Sequence, residues 1–261
     1  MGAETPSVIL EIDGNIARVS LNQPESLNAL TVELAQGFLQ AMLKIKDNDN
    51  VRVVVIKGQG RAFCAGGDLS FLAGATQEKA RRLIDPLHEA IEIMTQLPVP
   101  VVACLHGVVA GAGVSLALAC DIVLAAEGTR FNLAYTGIGT SPDASASWHL
   151  PRLVGLSKSL ELLLLSEPFD ANEALQLRLI NRVLPVDQLG KASEELLMKL
   201  AKAPTFALGQ TKRLVRGSMQ STLKEQLDAE RDSFCACVQT QDFTIGVEAF
   251  LNKQKPSYTG R

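Results

Sequence analysis

The sequence predicts an α/β protein that begins with repeated strand and helix units and ends in a helical part. Two continuous apolar runs, residues 51–56 and 99–109, flank a stretch of helical periodicity at 77–97. Runs of that kind mark strands buried on both faces of a sheet. From Ser145 onward the apolar spacing turns predominantly helical. Size agrees with this, since 261 residues with 47% hydrophobic side chains can bury a substantial core.

Taken in order, residues 8–12 alternate in strand fashion, Asp13-Gly14-Asn15 makes a turn, and 16–21 resumes the strand, which is a hairpin signal. Thr31 is a good N-cap for a helix in which Val32, Leu34, Ala35, Phe38, Met42, Leu43 and Ile45 recur at helical spacing. Residues 114–120 predict an apolar helix and 121–126 a further buried strand, while Asp170-Ala171-Asn172-Glu173 resembles a capped helix start. Residues 221–255 carry apolar positions at helical spacing between many charges, which suits a helix packed on the domain or on a neighbouring subunit. Pro204 is the hinge candidate, dividing a core of residues 1–203 from a C-terminal helical segment of residues 204–261.

Composition excludes several function classes. Lys and Arg number 25 against 28 Asp and Glu, a net charge of −3, so there is no basic surplus of the sort that phosphate-backbone binding requires. No nucleic-acid partner is expected. The five cysteines, Cys64, Cys104, Cys120, Cys235 and Cys237, sit mostly in apolar runs without paired C-x-x-C spacing. That predicts reduced, buried thiols and no zinc site. With neither a signal-like N-terminus nor an apolar stretch long enough to span a bilayer, the expectation is a soluble cytoplasmic protein with no membrane partner.

Two glycine-rich loops carry the chemical signal. The first runs Arg61-Ala62-Phe63-Cys64-Ala65-Gly66-Gly67-Asp68-Leu69, just after a buried strand; the second runs Gly107-Val108-Val109-Ala110-Gly111-Ala112-Gly113-Val114-Ser115 and opens an apolar helix. Glycines let a ligand approach exposed backbone N–H groups, and the second loop's free N–H groups lie at the positive end of a helix dipole. Each loop taken singly also fits an ordinary strand-to-helix connection. Together they could supply two donors to one developing oxyanion, worth roughly 3–4 kcal/mol per donor in the transition state. Gly111-Ala112-Gly113 lacks the third glycine of a dinucleotide fingerprint, and no Gly-Lys-Ser/Thr ending supports a Walker A loop.

The run from Ala62 to Leu69, the run from Gly107 to Asp121 ending Leu118-Ala119-Cys120-Asp121, and the early Asn22-Gln23-Pro24-Glu25-Ser26-Leu27-Asn28-Ala29-Leu30 resemble the signatures of the crotonase (enoyl-CoA hydratase/isomerase) family, in the family's order. The likeness continues through Pro151-Arg152-Leu153-Val154-Gly155, residues 174–183 and Ala249-Phe250-Leu251-Asn252-Lys253. It implies a spiral core of strand-strand-helix turns, a C-terminal trimerisation part, homotrimers or hexamers made of two trimers, and an acyl-CoA thioester substrate. Coenzyme A would then arrive as part of the substrate, with no permanently bound cofactor and no metal or nicotinamide.

Carried over residue by residue, the resemblance implies an oxyanion hole made by the N–H groups of Gly67 and Ala112. Ser26, Leu27, Ala65, Asp68 and Leu69 match positions lining the CoA site. Phe250 and Lys253 match a contact often made from a neighbouring subunit, where Lys253 could meet a CoA phosphate as a point charge; a solvated helix charge is the alternative reading. Where hydratases of the family carry two glutamates, this chain has Ser115 and Tyr135, neither of them a carboxylate. Asp143 matches the carboxylate of isomerase-type and some dehalogenase-type members, although by composition alone it reads as an N-cap for a helix beginning near Ala144.

The expected chemistry is an enolate held by Gly67 and Ala112 while Asp143 moves a proton between carbons. Trp148, Leu133 and Ile138 would give Asp143 apolar surroundings that favour its neutral form. Such a shuttle moves a double bond along an enoyl-CoA, and Ser141-Pro142-Asp143 with Trp148 and Pro151-Arg152 also resembles the ring-opening isomerases of phenylacetyl-CoA breakdown. Three alternatives remain: a hydratase with a relocated acid/base at Asp143 and Tyr135, a serine hydrolase built on Gly113-Val114-Ser115 with Asp143 and His149, and a non-catalytic acyl-CoA-binding or RNA-associated member.

Overall fold

The computed structural model describes residues 6–260. The predicted hairpin forms from β1 (Val8–Asp13) and β2 (Ile16–Leu21), and Gly14 at φ 56° supplies the left-handed turn between them. β2 then starts a parallel sheet with β3 (Val53–Gly58), β4 (Val101–Leu105), β6 (Ile122–Ala126) and β9 (Arg182–Leu184), in the order β1-β2-β3-β4-β6-β9. The pleat explains why the strand sequences are continuously apolar. Val54, Ile56, Val101, Ala103 and Val123 face one core, whereas Val53, Val55, Val102 and Leu124 face a second one under Leu197 and Ala201 of α7 (Val186–Ala201).

Helices α1 (Val32–Lys46) and α3 (Gln77–Gln96) close the main core. Thr31 caps α1 as expected, its side chain accepting from the Leu34 N–H at 3.1 Å. Asp170 likewise accepts from the Glu173 N–H at 2.9 Å to start α6 (Ala171–Gln176).

One predicted strand divides in two. The run 99–109 becomes β4 and a separate β5 (Val108–Ala110), because Gly107 turns the chain at φ 62° into a second, three-stranded sheet with β7 (Arg130–Asn132) and β8 (Phe169–Asp170). A Cβ at Gly107 would run into the Arg61 carbonyl, so only glycine permits the crossing. The expected helix over 221–255 also divides, into α9 (Leu223–Val238) and α10 (Gln241–Leu251), with Thr240 capping the second. Strands β8 and β9 within the predicted helical part were missed, being only two and three residues long.

α8 (Thr205–Gly217) begins after Pro204 and is pinned to the sheet by charge. Lys212 and Arg216 both pair with Asp121, at 2.8 and 2.7 Å, and Asp121 also accepts from the Val101 N–H. Cys64, Cys104 and Cys120 are buried, and burial pushes the Cys64 thiol up to about 12, so it stays an inert core group. Cys235 is exposed, contrary to the expectation of buried thiols throughout. Among the described residues no helix is long and apolar enough to cross a membrane.

Candidate active site

The two glycine loops are laced together. Cys64 N–H donates to the Val108 carbonyl at 3.2 Å, and the Ala110 N–H donates back to the Cys64 carbonyl at 2.9 Å. Gly66 and Gly113 are glycine for want of space: a Cβ on Gly66 would lie 3.1 Å from the Ala110 carbonyl oxygen, and one on Gly113 would lie 2.6 Å from that of Cys64. Gly66 and Gly111 also hold positive φ values of 95° and 49°.

That lacing presents two backbone donors to one cavity. Ala112 is the first residue of α4 (Ala112–Ala119), a position whose N–H has no partner within the helix. Among the described residues neither the Ala112 nor the Gly67 N–H donates to the protein, and both residues line a cavity of about 480 Å³. Its walls include Leu69, Leu72, Ala80, Leu83, Ile84 and Leu87 on the α2 (Leu69–Leu72) and α3 side. A concave, mostly apolar chamber with a few converging polar groups is the ordinary form of a small-molecule site.

Asp143 and Tyr135 share the same lining, with Ile138, Thr140 and Ser141 between them in sequence. The Tyr135 hydroxyl donates to Asp143 Oδ1 at 2.7 Å, and Ser115 Oγ lies 2.7 Å from the Tyr135 oxygen. Burial raises the Tyr135 phenol, with the negative charge of Asp143 adding to the effect, so Tyr135 stays protonated and donates. The carboxylate is therefore not the helix cap that composition suggested. Ser145 occupies the N-cap of α5 (Ala146–Leu165), without a side-chain capping bond.

Backbone strain marks the segment that carries these groups. Ala134, just before Tyr135, and Ala144 and Ser145, just after Asp143, all have positive φ, at 53°, 48° and 73°. Non-glycine residues in that region cost on the order of 1–3 kcal/mol each and persist only where surroundings impose them. Two side chains do so. Asn132 Oδ1 accepts from the Ala134 N–H at 2.8 Å while its carbonyl accepts from the Gly111 N–H, and His88 Nε2 accepts from the Ala144 N–H at 3.0 Å.

Of the residues expected at the site, Gly67, Ala112, Asp143, Ala65 and Leu69 share the cavity. Ser26, Leu27 and Asp68 lie outside its lining. The Ser26 hydroxyl donates to the Gln23 carbonyl, the Leu27 carbonyl accepts from the Ala65 N–H, and the Asp68 carboxylate caps α2 by accepting from the Ser70 and Phe71 N–H groups. Phe250 and Lys253 are exposed at the C-terminal end, away from the cavity lining of this chain. Of the apolar neighbours expected for Asp143, Ile138 shares its cavity, whereas Trp148 lines a different hollow with His149 and the Tyr135 phenol stands beside the carboxylate.

Asn28, His88 and Asn132 are positioning groups that the sequence alone did not single out. Asn28 is fully buried, donating to the Gln59 and Ala62 carbonyls and accepting from the Gln23 N–H. It holds the 23–30 loop onto the first glycine loop. A polar residue inside the Ser26-Leu27-Asn28-Ala29-Leu30 run was the available signal.

The serine hydrolase reading fails on geometry. Ser115 is fully buried behind Tyr135, and none of the hydrogen bonds made by its hydroxyl goes to a histidine. His106 Nε2 lies 3.0 Å from the Gly60 carbonyl, His88 accepts from Ala144, and His149 is buried with its basicity lowered to about 4, chiefly by burial and then by Arg216 and Arg152.

The profile of the enoyl-CoA hydratase/isomerase family matches residues 11–261. The chain is 33% identical to the 1,2-epoxyphenylacetyl-CoA isomerase of Escherichia coli K12, covering 97% of this chain and 98% of the relative. It is 34% identical to a probable enoyl-CoA hydratase of Rhodobacter capsulatus, over 96% and 97%. The crystal structure of an enoyl-CoA hydratase from Bacillus anthracis superposes with a TM-score of 0.93 at 31% identity, covering 98% of this chain and all of the other.

Proposed function

Because the chain belongs to the enoyl-CoA hydratase/isomerase family, we propose that it is an acyl-CoA isomerase in which Asp143 is the single acid/base. The observation that carries this reading is the cavity that joins the Gly67 and Ala112 N–H groups to Asp143, its one carboxylate, with Tyr135, Thr140 and Ser141 also in the lining and Ser115 behind Tyr135.

The thioester oxygen binds between the two N–H groups, and the electron pair left by proton removal delocalises onto it as an enolate. Asp143 takes the proton from one carbon through its second oxygen and returns it to another, so the double bond moves and no atom is gained or lost. Hydration needs a second group to hold and polarise water, and Ser115 and Tyr135 supply no second carboxylate. Two relatives with contrasting names, an epoxide-opening isomerase and a probable hydratase, share about the same identity with this chain, so the choice rests on the side chains. Substrates are acyl-CoA thioesters with an acyl part that fits the apolar wall of Leu83, Ile84 and Leu87.

Replacing Asp143 by Asn keeps the shape and removes the base. Isomerisation of a 3-enoyl-CoA to the 2-enoyl form should fall by about 100- to 10,000-fold. Activity near the wild-type level would remove Asp143 from the mechanism.

Assembly into homotrimers, or hexamers of two trimers, belongs to the same reading. Its support is the apolar surface left open on the late helices, where Leu223 is 76% and Phe250 83% exposed. A neighbouring copy would cover these faces and bring its own Phe250 and Lys253 toward the CoA moiety. Light scattering should return three or six times the 28.0 kDa chain mass; a monomer at micromolar concentration would refute it.

A further inference from the structure

We propose that Tyr135, oriented by Ser115, is a positioning residue that fixes which oxygen of Asp143 exchanges the proton with substrate. The inference rests on Asp143 being the acid/base. It adds a function for the two positions where the hydratases' glutamates are replaced.

The direction of the hydrogen bonds follows from counting protons. A carboxylate only accepts, so the single Tyr135 hydroxyl proton points to Asp143 Oδ1 at 2.7 Å. The Tyr135 oxygen is then an acceptor, and the Ser115 hydroxyl donates to it across 2.7 Å rather than to the Gly111 carbonyl at 3.4 Å. The resulting chain, Ser115 to Tyr135 to Asp143, has one polarity and no free rotor. Ser115 is fully buried and Tyr135 is 7% exposed, so water does not compete readily for either bond.

At the far end, Asp143 Oδ2 accepts no hydrogen bond among the described residues. Anchoring Oδ1 stops rotation of the carboxylate and leaves Oδ2 for the carbon-bound proton. The same chain is tied to the oxyanion donors, because Ser115 sits one helical turn after Gly111, the residue that precedes Ala112. Acid/base and oxyanion hole are thereby held in one frame, in which displacements near 1 Å cost about 100-fold in rate.

Four variants test this on a 3-enoyl-CoA. Tyr135→Phe keeps the ring and removes the donor; kcat should fall about 10- to 100-fold while KM stays within about twofold. Ser115→Ala should lower kcat less, and Ser115→Thr, which restores the hydroxyl, should recover it. A structural role alone would lower the melting temperature without this kcat-specific loss and hydroxyl rescue. Wild-type kcat in Tyr135→Phe, or a loss confined to KM and melting temperature, overturns the proposal provided Asp143→Asn is inactive. If Asp143→Asn is as active as wild type, the acid/base reading itself fails and this proposal falls with it.

Discussion

The two sides of the cavity are built from different material. One side is backbone: Gly67 and Ala112 offer N–H groups from loops laced by strand-like bonds between Cys64, Val108 and Ala110. The other is side chain: Ser115 from α4 joins Tyr135 and Asp143, which lie on a segment with three positive-φ residues, in a hydrogen-bonded row. Backbone donors survive many substitutions, since alanine at 112 still presents an N–H. A side-chain row changes its chemistry with each replacement. In the proposed mechanism the first side therefore serves any enolate reaction, and the second selects among them.

Breaking the backbone side should have the largest effect. Ala112→Pro removes one of the two proposed oxyanion donors at a helix position that tolerates proline. It should lower kcat by about 100- to 1,000-fold for isomerisation and for any residual hydration alike. A loss confined to one of the two reactions would break the division between a shared backbone side and a selective side-chain side.

The next effect is pH-dependent and arises in α5, the helix that follows Asp143. His149, buried in the first turns of α5, has its folded value depressed from 6.5 to about 4. The unfolded chain therefore binds the proton first, and stability is complete above about pH 6.5 and lost as pH falls toward 4. The loss at this one group reaches up to about 3 kcal/mol. Denaturant titrations of His149→Gln across that window should show a flatter pH dependence than wild type. Parallel curves would exclude His149 as the cause.

The smallest effect sharpens the role of close approach. Gly113→Ala puts a methyl 2.6 Å from the Cys64 carbonyl, forcing the two loops apart. A destabilisation of about 1–3 kcal/mol by denaturant unfolding is expected. An unchanged midpoint would show that the lacing has slack.

Legibility in the sequence follows the same division. The strands β2, β3, β4 and β6 and the helices α1 and α3 were readable because their apolar periodicity records which faces they bury. The glycine loops were readable because close approach leaves few alternatives to glycine. The division of 99–109 at Gly107 was not, since an apolar run looks alike whether or not it changes sheet. Tyr135 and Ser115 were named beside Asp143 as alternatives, but the hydrogen bonds that join them were hidden. The match of Asp143 to a family position was visible, but Tyr135 eight residues upstream and Ser115 on α4 meet it only through the strained 134–145 segment, and His88 reaches that segment from α3. Long-range side-chain hydrogen bonds leave no periodic trace in a single sequence.

The most direct test of the account is the ratio of two wild-type rates measured on one preparation: conversion of a 3-enoyl-CoA to its 2-enoyl isomer, and hydration of the 2-enoyl-CoA. A site with one carboxylate predicts isomerisation faster by about 100-fold or more, the usual worth of a missing acid/base group. Hydration equal to or faster than isomerisation would contradict it, and would mean that the Ser115–Tyr135–Asp143 row activates water after all.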